Sequence, residues 1–208
     1  MAPFHGLVSE LAWWRTSPEM HLAEGESDTG NVLGFVRGLR FSVRLIYALR
    51  GILSHTNLEV DWGHLLDHQN HSFSPECDVI IHRRGHEGRW NGHAYGEQVM
   101  DFRFIRCGAV VAVISCKSKL TSKSSLDAAY CTKVKAYVDT VFLFAECCED
   151  VSVEALRQRA TAAGYDGFWA LYGLDSGTLQ DTPDEPGWED FVQRLYALTQ
   201  PPNKEPAH

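Results

Sequence analysis

The spacing of hydrophobic and polar residues changes several times along the chain, and each change predicts a different element of secondary structure. Between residues 31 and 53 the apolar positions recur at steps of three, four and seven, which is typical of an amphipathic helix. Short runs rich in Val, Ile, Leu and Phe then predict strands at 58–67, 76–81 and 109–117, and in the segments VFLFAEC and GFWALYG. The segment DFRFI is a candidate for a further short strand.

Further helices are predicted where a capping residue precedes a stretch of helical period. The segment SSLDAAYCTKVKAYVDT has Ser124 or Ser125 as its N-cap, and SVEALRQRATAAG is capped by Ser152 and stopped by Gly164. WEDFVQRLYALT is the last helix candidate. The order is helix, three strands, helix, strand, helix, strand and helix, which predicts an α/β domain with a mixed sheet flanked by helices.

The length and composition of the chain favour one domain. With 208 residues and 44% hydrophobic positions the chain forms one core of ordinary size, which we assign to residues 31–199. Residues 1–30, which include the acidic stretch AEGESDTG, are expected to form an N-terminal extension, and the Pro-rich residues 200–208 a disordered tail. Residues 83–98, rich in Gly, Arg and His, form either a hairpin insertion or a flexible loop.

Charge limits the classes of partner. A formal net charge of −8 argues against a protein that holds nucleic acid by bulk positive charge, so any such contact is local. Arg37, Arg40 and Arg44, on the polar side of the first helix, form either a phosphate-facing stripe or a solvated basic face.

The six cysteines include no CxxC pair and are predicted to be reduced core residues. Because no segment has the pattern of a secretory signal or a membrane span, a cytoplasmic protein is expected.

Two of the apolar runs carry polar residues at their ends, and these residues form the candidate site. Glu76 and Asp78 stand at the start of one strand, and Ser115 and Lys117 stand at the end of another. Side chains two residues apart in a strand point to the same face, so each pair shares one side. If the two strands are neighbours, all four side chains meet at one end of the sheet.

This arrangement suits metal-assisted hydrolysis of a phosphodiester. The carboxylates of Asp78 and Glu76 are oxygen ligands of the kind that Mg²⁺ requires, and the metal would activate water and neutralise charge on the phosphate. Lys117 would position or deprotonate the water, or stabilise the pentacovalent phosphate. A second metal hypothesis requires a helical stretch with three histidines and an aspartate on one side (His64, His68, His71 and Asp67).

The segments GFVRGLRFSVRLIYALRGIL, SPECDVIIH and AVVAVISCKSKL resemble an uncharacterised bacterial family of the PD-(D/E)XK, or restriction-endonuclease-like, nuclease superfamily. The resemblance covers residues 31–175 and implies a restriction-endonuclease-like α/β fold. Some members of that family sit among phage-defence or mobile-element genes. Matched residue by residue, Asp78 is the metal-binding aspartate and Lys117 is the motif lysine.

Two positions depart from the superfamily pattern. Ser115 stands where the motif has an acid two residues before the lysine, and Gly38 stands where relatives often carry a glutamate on the first helix. Glu76 lies on the same side as Asp78 and could supply the missing carboxylate oxygen. The motif as it stands in this chain is therefore degenerate.

Two hypotheses of function follow from the residues and the resemblance. The first is a degenerate nuclease fold kept as a nucleic-acid-binding or assembly module of a phage-defence or mobile-element system, with DNA or a protein of that system as its partner. The second is an active Mg²⁺-dependent DNA endonuclease that uses Asp78, Glu76 and Lys117, with Ser115 beside them. Homodimers are common in the superfamily, and no membrane contact is expected.

Overall fold

A seven-stranded sheet organises the residues that the computed structural model describes, which are 2–15, 30–85, 103–175, 178–179 and 183–199. In these ranges the helices are α1 (Ala2–Arg15), α2 (Gly30–Ile52), α3 (Ala128–Lys135), α4 (Val153–Ala162) and α5 (Glu185–Ala197). The strands are β1 (Leu58–Asp67), β2 (Ser72–Phe73), β3 (Cys77–Arg83), β4 (Arg103–Arg106), β5 (Val110–Leu120), β6 (Val141–Cys148), β7 (Gly167–Tyr172), β8 (Leu174–Asp175) and β9 (Thr178–Leu179).

The sheet contains both antiparallel and parallel pairs. Its strands run in the order β2-β1-β3-β5-β6-β7, with β4 beside β1. β1, β3 and β5 are antiparallel neighbours, whereas β5, β6 and β7 run parallel, with α3 and α4 in the two crossover connections. This topology confirms the mixed α/β sheet expected from the order of elements.

Helices cover both faces of the sheet. One face packs against α1, α2 and α5, with Phe41, Phe144 and Phe191 in its core. The other face packs against α3 and α4, with Val134 and Leu143 in its core. All eight residues of β6 are buried, because a central strand covered on both faces has no solvent side. The same burial explains why its sequence is a continuous apolar run.

The boundaries of two helices test the predicted caps. The Ser152 hydroxyl accepts a backbone hydrogen bond at the start of α4, and Gly164 follows that helix with a φ of +97°, as predicted. Neither Ser124 nor Ser125 caps α3, whose N-cap is Asp127. The prediction was wrong because the Ser124 hydroxyl accepts a backbone N–H within the preceding turn, which leaves the Asp127 carboxylate to cap the helix.

Gly63 marks a bulge in β1 at which β4 begins to pair with the strand. The pairing of β1 with β3 is irregular between Asp61 and Gly63, and Gly63 then lies opposite Arg103 of β4. Its φ of +134° favours glycine, and an added Cβ would lie 2.0 Å from the Arg103 carbonyl oxygen. The bulge thus lets β4 approach β1 and places Arg103 near Asp61.

The N-terminal residues include a helix that the sequence analysis did not predict. Phe4, Leu7 and Leu11 of α1 are buried in the same core as α2 and α5. The predicted tail at 200–208, and the predicted loop beyond residue 85, lie outside the described residues. Among the helices in the described ranges, none combines the length and the apolar character needed to span a membrane.

The three histidines between residues 64 and 71 do not lie on a helix. His64 lies on β1 and its Nδ1 is 2.8 Å from the Ser74 carbonyl oxygen, while residues 68–71 form the turn that follows the strand. The metal hypothesis that needed His64, His68 and His71 on one helix face is therefore wrong. In the part of the chain that the structure describes, all six cysteines are free thiols.

Candidate functional site

Asp78 and Ser115 face each other across two antiparallel strands. β3 pairs with β5 so that Val79 lies opposite Ile114. The same register continued by one residue puts Asp78 opposite Ser115, and the two side chains interact. Val79 and Ile114 pack in the core under α2, so Asp78 and Ser115 point to the other face, under α3 and α4. Lys117 follows on the same side as Ser115. The two strands thus bring three of the predicted site residues to one end of the sheet.

The Asp78 carboxyl is held in a protein environment and not in open water. Its Oδ2 accepts a hydrogen bond of 2.8 Å from the Cys116 N–H. Burial raises the pKa of Asp78 above its usual range, and the negative charge of Glu76 adds to the rise. The Cys116 N–H and the Lys117 charge lower the pKa in part, without cancelling the effect of burial. The site therefore favours the neutral acid more than water does.

Glu76 and Lys117 lie at the rim of this end of the sheet. Glu76 comes one residue before β3 and is exposed, while Lys117 is partly buried beside Ala145 of β6. Their charges act on Asp78 in opposite directions. The structure thus places Glu76 near enough for its charge to reach Asp78, but outside the strand pairing that fixes Ser115.

Two tyrosines that the sequence analysis did not single out also approach Asp78. Tyr130 lies on α3, and Tyr165 follows α4. Both phenol oxygens are buried, with the Tyr130 hydroxyl beside the Cys77 thiol and the Tyr165 hydroxyl beside the Ser115 hydroxyl. Burial raises the pKa of both phenols, and the Asp78 charge adds to the rise. No sequence signal marks them, because a lone tyrosine among apolar residues is an ordinary core residue.

The middle of α2 passes behind the strand that carries Lys117. The Ser42 hydroxyl donates to the Gly38 carbonyl at 3.1 Å and lies against the Cys116 thiol. Gly38, where relatives often carry a glutamate, is therefore one helical turn away from a residue that contacts β5. An added Cβ at Gly38 would meet no atom within 4 Å, so this position has room for a side chain.

The arginines of the predicted basic stripe lie on α2. Arg40 and Arg44 are partly buried, and the side chain of Arg37 is outside the described residues. The helix packs on the face of the sheet opposite to the one that Asp78 faces. Contact between these arginines and nucleic acid stays a prediction.

A second cluster of charged residues lies along β1, away from Asp78. Asp61 is 3% exposed, and its carboxylate oxygens lie 2.8 Å from Arg50, 2.8 Å from His82 and 3.1 Å from Arg103. Glu59, Asp61 and His82 each offer an atom that lies within 4.8 Å of the others, close enough to hold a metal ion. An open pocket of about 320 Å³ borders Glu59, Asp61 and the two arginines.

The charge balance of this cluster favours a network of ion pairs over a metal centre. Both oxygens of Asp61 already face cationic groups or the His82 ring, and a divalent cation would lie close to Arg50 and Arg103. Sequence analysis missed Asp61. The available signal was an acid inside the strand LEVDWGHLLD, because a buried acid needs a partner.

The residues around Asp78 fit a divalent cation poorly as they stand. Mg²⁺ requires several oxygen ligands and is held most strongly by carboxylates. The chain offers the partly buried Asp78, the exposed Glu76 and the neutral hydroxyl of Ser115. One Asp78 oxygen also accepts the Cys116 N–H. For a magnesium site, this end of the sheet lacks a further acidic side chain.

Replacing Asp78 by asparagine is expected to stabilise the protein at neutral pH. A carboxyl whose pKa is raised in the folded state contributes to the stability of the protein at low pH. This contribution is lost as the pH rises from the unfolded-state pKa of about 3.9 through the folded-state pKa. Asparagine does not ionise, and its side-chain oxygen still accepts the Cys116 N–H. We expect the melting temperature of Asp78→Asn, relative to the wild type, to increase as the pH rises above about 4 and to level off once the pH has passed the folded-state pKa of Asp78.

The exposed Asp139 supplies a matched control for this titration. Asp139→Asn should change the melting temperature by only a small amount, because its side chain is exposed and surface charges contribute little to stability. A pH-independent difference for Asp78→Asn would contradict the raised pKa of Asp78.

The solved structures that this chain matches include several of NucC. NucC from P. aeruginosa ATCC27853 in its cAAA-bound form is 16% identical, with a TM-score of 0.57, and the alignment covers 96% of this chain and 88% of that one. NucC from E. coli MS115-1 matches in its cAAA-bound form (13% identical, TM-score 0.57, covering 96% and 87%) and in its apo form (10% identical, TM-score 0.51, covering 92% and 90%).

No protein-family model and no curated protein matches the sequence. The structural matches confirm the expected fold, a mixed α/β sheet flanked by helices. At these identities the matches establish the fold alone. The roles of Asp78, Glu76, Ser115 and Lys117 stay predictions.

Proposed function

We propose that this chain is a PD-(D/E)XK nuclease-like protein of a phage-defence system, and that its incomplete site makes it a nucleic-acid-binding or assembly module. The fold supports the first half of the proposal, because NucC belongs to phage-defence systems. One observation carries the second half. A neutral, buried hydroxyl, that of Ser115, occupies the position opposite Asp78 where the motif has its acid.

The loss of this acid weakens metal binding at Asp78, on which the expected hydrolysis depends. Without a second buried carboxylate, a cation at Asp78 would have one strong protein ligand and would be exchanged easily for water. The raised pKa of Asp78 weakens that ligand further, because a metal must displace the proton. Lys117 can still contact a phosphate oxygen through its charge, and this contact needs no metal.

An active Mg²⁺-dependent DNA endonuclease is the second candidate. The observation that favours it is that Asp78 and Lys117 lie on the same side of the sheet, at the same end. There the charge of Lys117 acts on the Asp78 carboxyl. Glu76 would supply the second carboxylate from the start of β3. In this case the metal would activate water, and Lys117 would orient it.

The proposed partners follow from the same fold. We propose DNA or a protein of the same defence system, and a homodimer as the assembled form, in the cytoplasm. The cAAA ligand belongs to the two NucC structures that contain it. The net charge of −8 restricts any nucleic-acid contact to a local surface such as the rim at Lys117.

A cleavage and binding assay tests the proposal. Pure protein would be incubated with supercoiled plasmid and with single-stranded DNA, in Mg²⁺, in Mn²⁺ and in chelator. We expect no metal-dependent nicking. We also expect binding of DNA in chelator that weakens with salt and is reduced by Lys117→Met, because one phosphate contact is lost.

Asp78→Asn and Lys117→Met are the controls for cleavage. Metal-dependent nicking that both substitutions abolish would overturn the degenerate site and establish the endonuclease, with Glu76→Gln as the next variant. Nicking that neither substitution changes would not come from the site at Asp78 and Lys117. If the protein neither cuts nor binds DNA, its mass in solution shows whether it forms the homodimer that is proposed for an assembly module.

A further inference from the structure

Three rings form an aromatic surface where β1, β2 and β4 meet. The His64 and Phe104 rings stack with their centroids 5.7 Å apart, and the Phe73 ring packs edge-on against Phe104 at 5.3 Å. Leu65 and Ile105, which alternate with these residues, are buried in the core under α3 and α4, so the rings lie on the solvent side of the strands. Phe73 is 56% exposed, and no other phenylalanine in the described ranges is as open to solvent.

Backbone contacts fix the position of the exposed ring. Phe73 lies opposite Leu66 in the ladder between β1 and β2, and its carbonyl oxygen accepts a hydrogen bond of 2.8 Å from the Tyr137 hydroxyl. The next residue, Ser74, has its carbonyl oxygen 2.8 Å from the His64 ring. A ring that is already held in place loses little conformational entropy when a flat partner binds to it.

A cation adjoins the aromatic surface. Arg106 of β4 is exposed and lies beside Leu66, on the same side of the strand as Phe104. It forms no ion pair with any residue that the structure describes. Asp67, the next residue of β1, points to the other side of the strand, and its carboxylate accepts hydrogen bonds from Asn70 in the following turn. The surface therefore combines an open ring with a positive charge.

This combination fits an unpaired nucleotide, which carries a flat ring and an anion in one unit. We infer that Phe73 stacks on an unpaired base of single-stranded DNA, and that Arg106 contacts a phosphate next to that base. Two strand spacings of about 4.8 Å separate the backbones of the two residues, a gap that one nucleotide and the arginine side chain can bridge. In a duplex the faces of the bases are covered by their neighbours in the stack, so duplex DNA cannot use this ring.

Stacking suits a chain with a net charge of −8, because contact with the face of a base does not require bulk positive charge. The inference rests on the proposed function, since it names single-stranded DNA as the partner of the nucleic-acid-binding module. Five residues separate Phe73 from Asp78, so their Cα atoms are at most about 17 Å apart. One bound strand can therefore extend from Phe73 to Lys117.

Binding of a fluorescently labelled single-stranded DNA of mixed sequence, measured in chelator over a range of salt concentrations, tests the stacking contact. Phe73→Ala is expected to weaken binding by about 5- to 100-fold, with an unchanged salt dependence because no charge is lost. Phe73→Leu, which keeps an apolar side chain against Phe104, should also weaken binding, whereas Phe73→Trp should retain it. The matched control is Tyr47→Ala, which removes a ring that is 59% exposed on α2 and should not change the affinity.

Two further measurements separate the base from the phosphate. Arg106→Met should weaken binding and reduce the slope of log affinity against log salt by about 0.7, the value for one phosphate contact of a single strand. A strand of abasic nucleotides has the phosphates and lacks the bases. The wild type and Phe73→Ala should therefore bind the abasic strand equally.

The stacking site is wrong if Phe73→Ala and Phe73→Leu bind single-stranded DNA as tightly as the wild type does. It is also wrong if Phe73→Ala weakens binding of the abasic strand to the same extent, because its effect would then come from a change in the fold. Either result leaves the proposed module standing if Lys117→Met still weakens binding.

The proposed function fails in a different way. Metal-dependent nicking that Asp78→Asn abolishes would overturn the degenerate site, and the base contact would remain if Phe73→Ala still weakens binding in chelator. If the wild type binds no DNA in chelator, the stacking site and the nucleic-acid-binding module are both overturned.

Discussion

Replacing Asp61 by alanine is expected to lower the free energy of unfolding by about 3 to 5 kcal/mol, because the change removes the shared partner of the buried His82 and the partly buried Arg103. Asp61 is 4% exposed at its side chain, as is His82, and Arg103 is 16% exposed. Arg50, at 46% exposure, can turn to water, but His82 and Arg103 cannot do so without disturbing β3 and β4. For a chain of this length the melting temperature should fall by roughly 6 to 20 °C.

An exposed ion pair calibrates this prediction. Glu149 lies 2.6 Å from Lys119 and is 42% exposed, so Glu149→Gln should change the free energy of unfolding by less than about 1 kcal/mol. Asp61→Ala must cost clearly more in the same thermal and urea unfolding experiments. Equal effects of the two substitutions would show that the network around Asp61 contributes little to stability.

The same variants decide whether the β1 cluster binds metal. We expect Mg²⁺, Mn²⁺ and Zn²⁺ to leave the melting temperature of the wild type unchanged, because Arg50 and Arg103 already pair with Asp61, and Arg84 with Glu59. Stabilisation by one of these ions that His82→Gln abolishes, and that Asp78→Asn does not, would establish a metal centre at Glu59, Asp61 and His82.

The sequence predicted the features that depend on the local spacing of hydrophobic and polar residues. It failed for the features that depend on contacts between residues far apart in the chain. β5 and β6 were predicted because strands covered on both faces need continuous apolar runs, and the shared side of Ser115 and Lys117 follows from the two-residue period of a strand. The meeting of Asp78 with Ser115 needed one further fact, the pairing of β3 with β5. The resemblance to a known superfamily implied that pairing.

The residues that were missed have partners far away in the chain. Asp61 contacts His82 and Arg103, which are 21 and 42 residues distant, and no local pattern links them. Tyr130 and Tyr165 reach Asp78 only after α3 and α4 have packed on the sheet. The helix α1 was missed for a related reason, since its aromatic residues are spread around the helix and give no clear apolar side.

Replacing Ser115 by glutamate is expected to create metal binding where the wild type has none. In chelator the variant should be less stable than the wild type, because a second carboxylate is buried beside Asp78 and like charges repel. A divalent cation relieves that repulsion and gains a second strong ligand. At a metal concentration about a hundred times the dissociation constant, linkage alone contributes about 2.7 kcal/mol, or roughly 5 to 11 °C.

Ser115→Gln is the matched control, because it has nearly the same volume as the glutamate variant and no charge. It should lose stability in chelator and recover nothing with Mg²⁺ or Mn²⁺.

The metal response of Ser115→Glu separates loss of a ligand from loss of the site. A metal-dependent rise for Ser115→Glu alone, abolished by Asp78→Asn, means that the sheet end still has the geometry of a nuclease centre and lacks only an acid. Plasmid nicking by the variant would extend this conclusion to Lys117, which must then be positioned to act on water or phosphate. If metal stabilises neither protein, more than Ser115 has diverged, and the packing of Tyr130 and Tyr165 against Asp78 is the structural feature that excludes the cation.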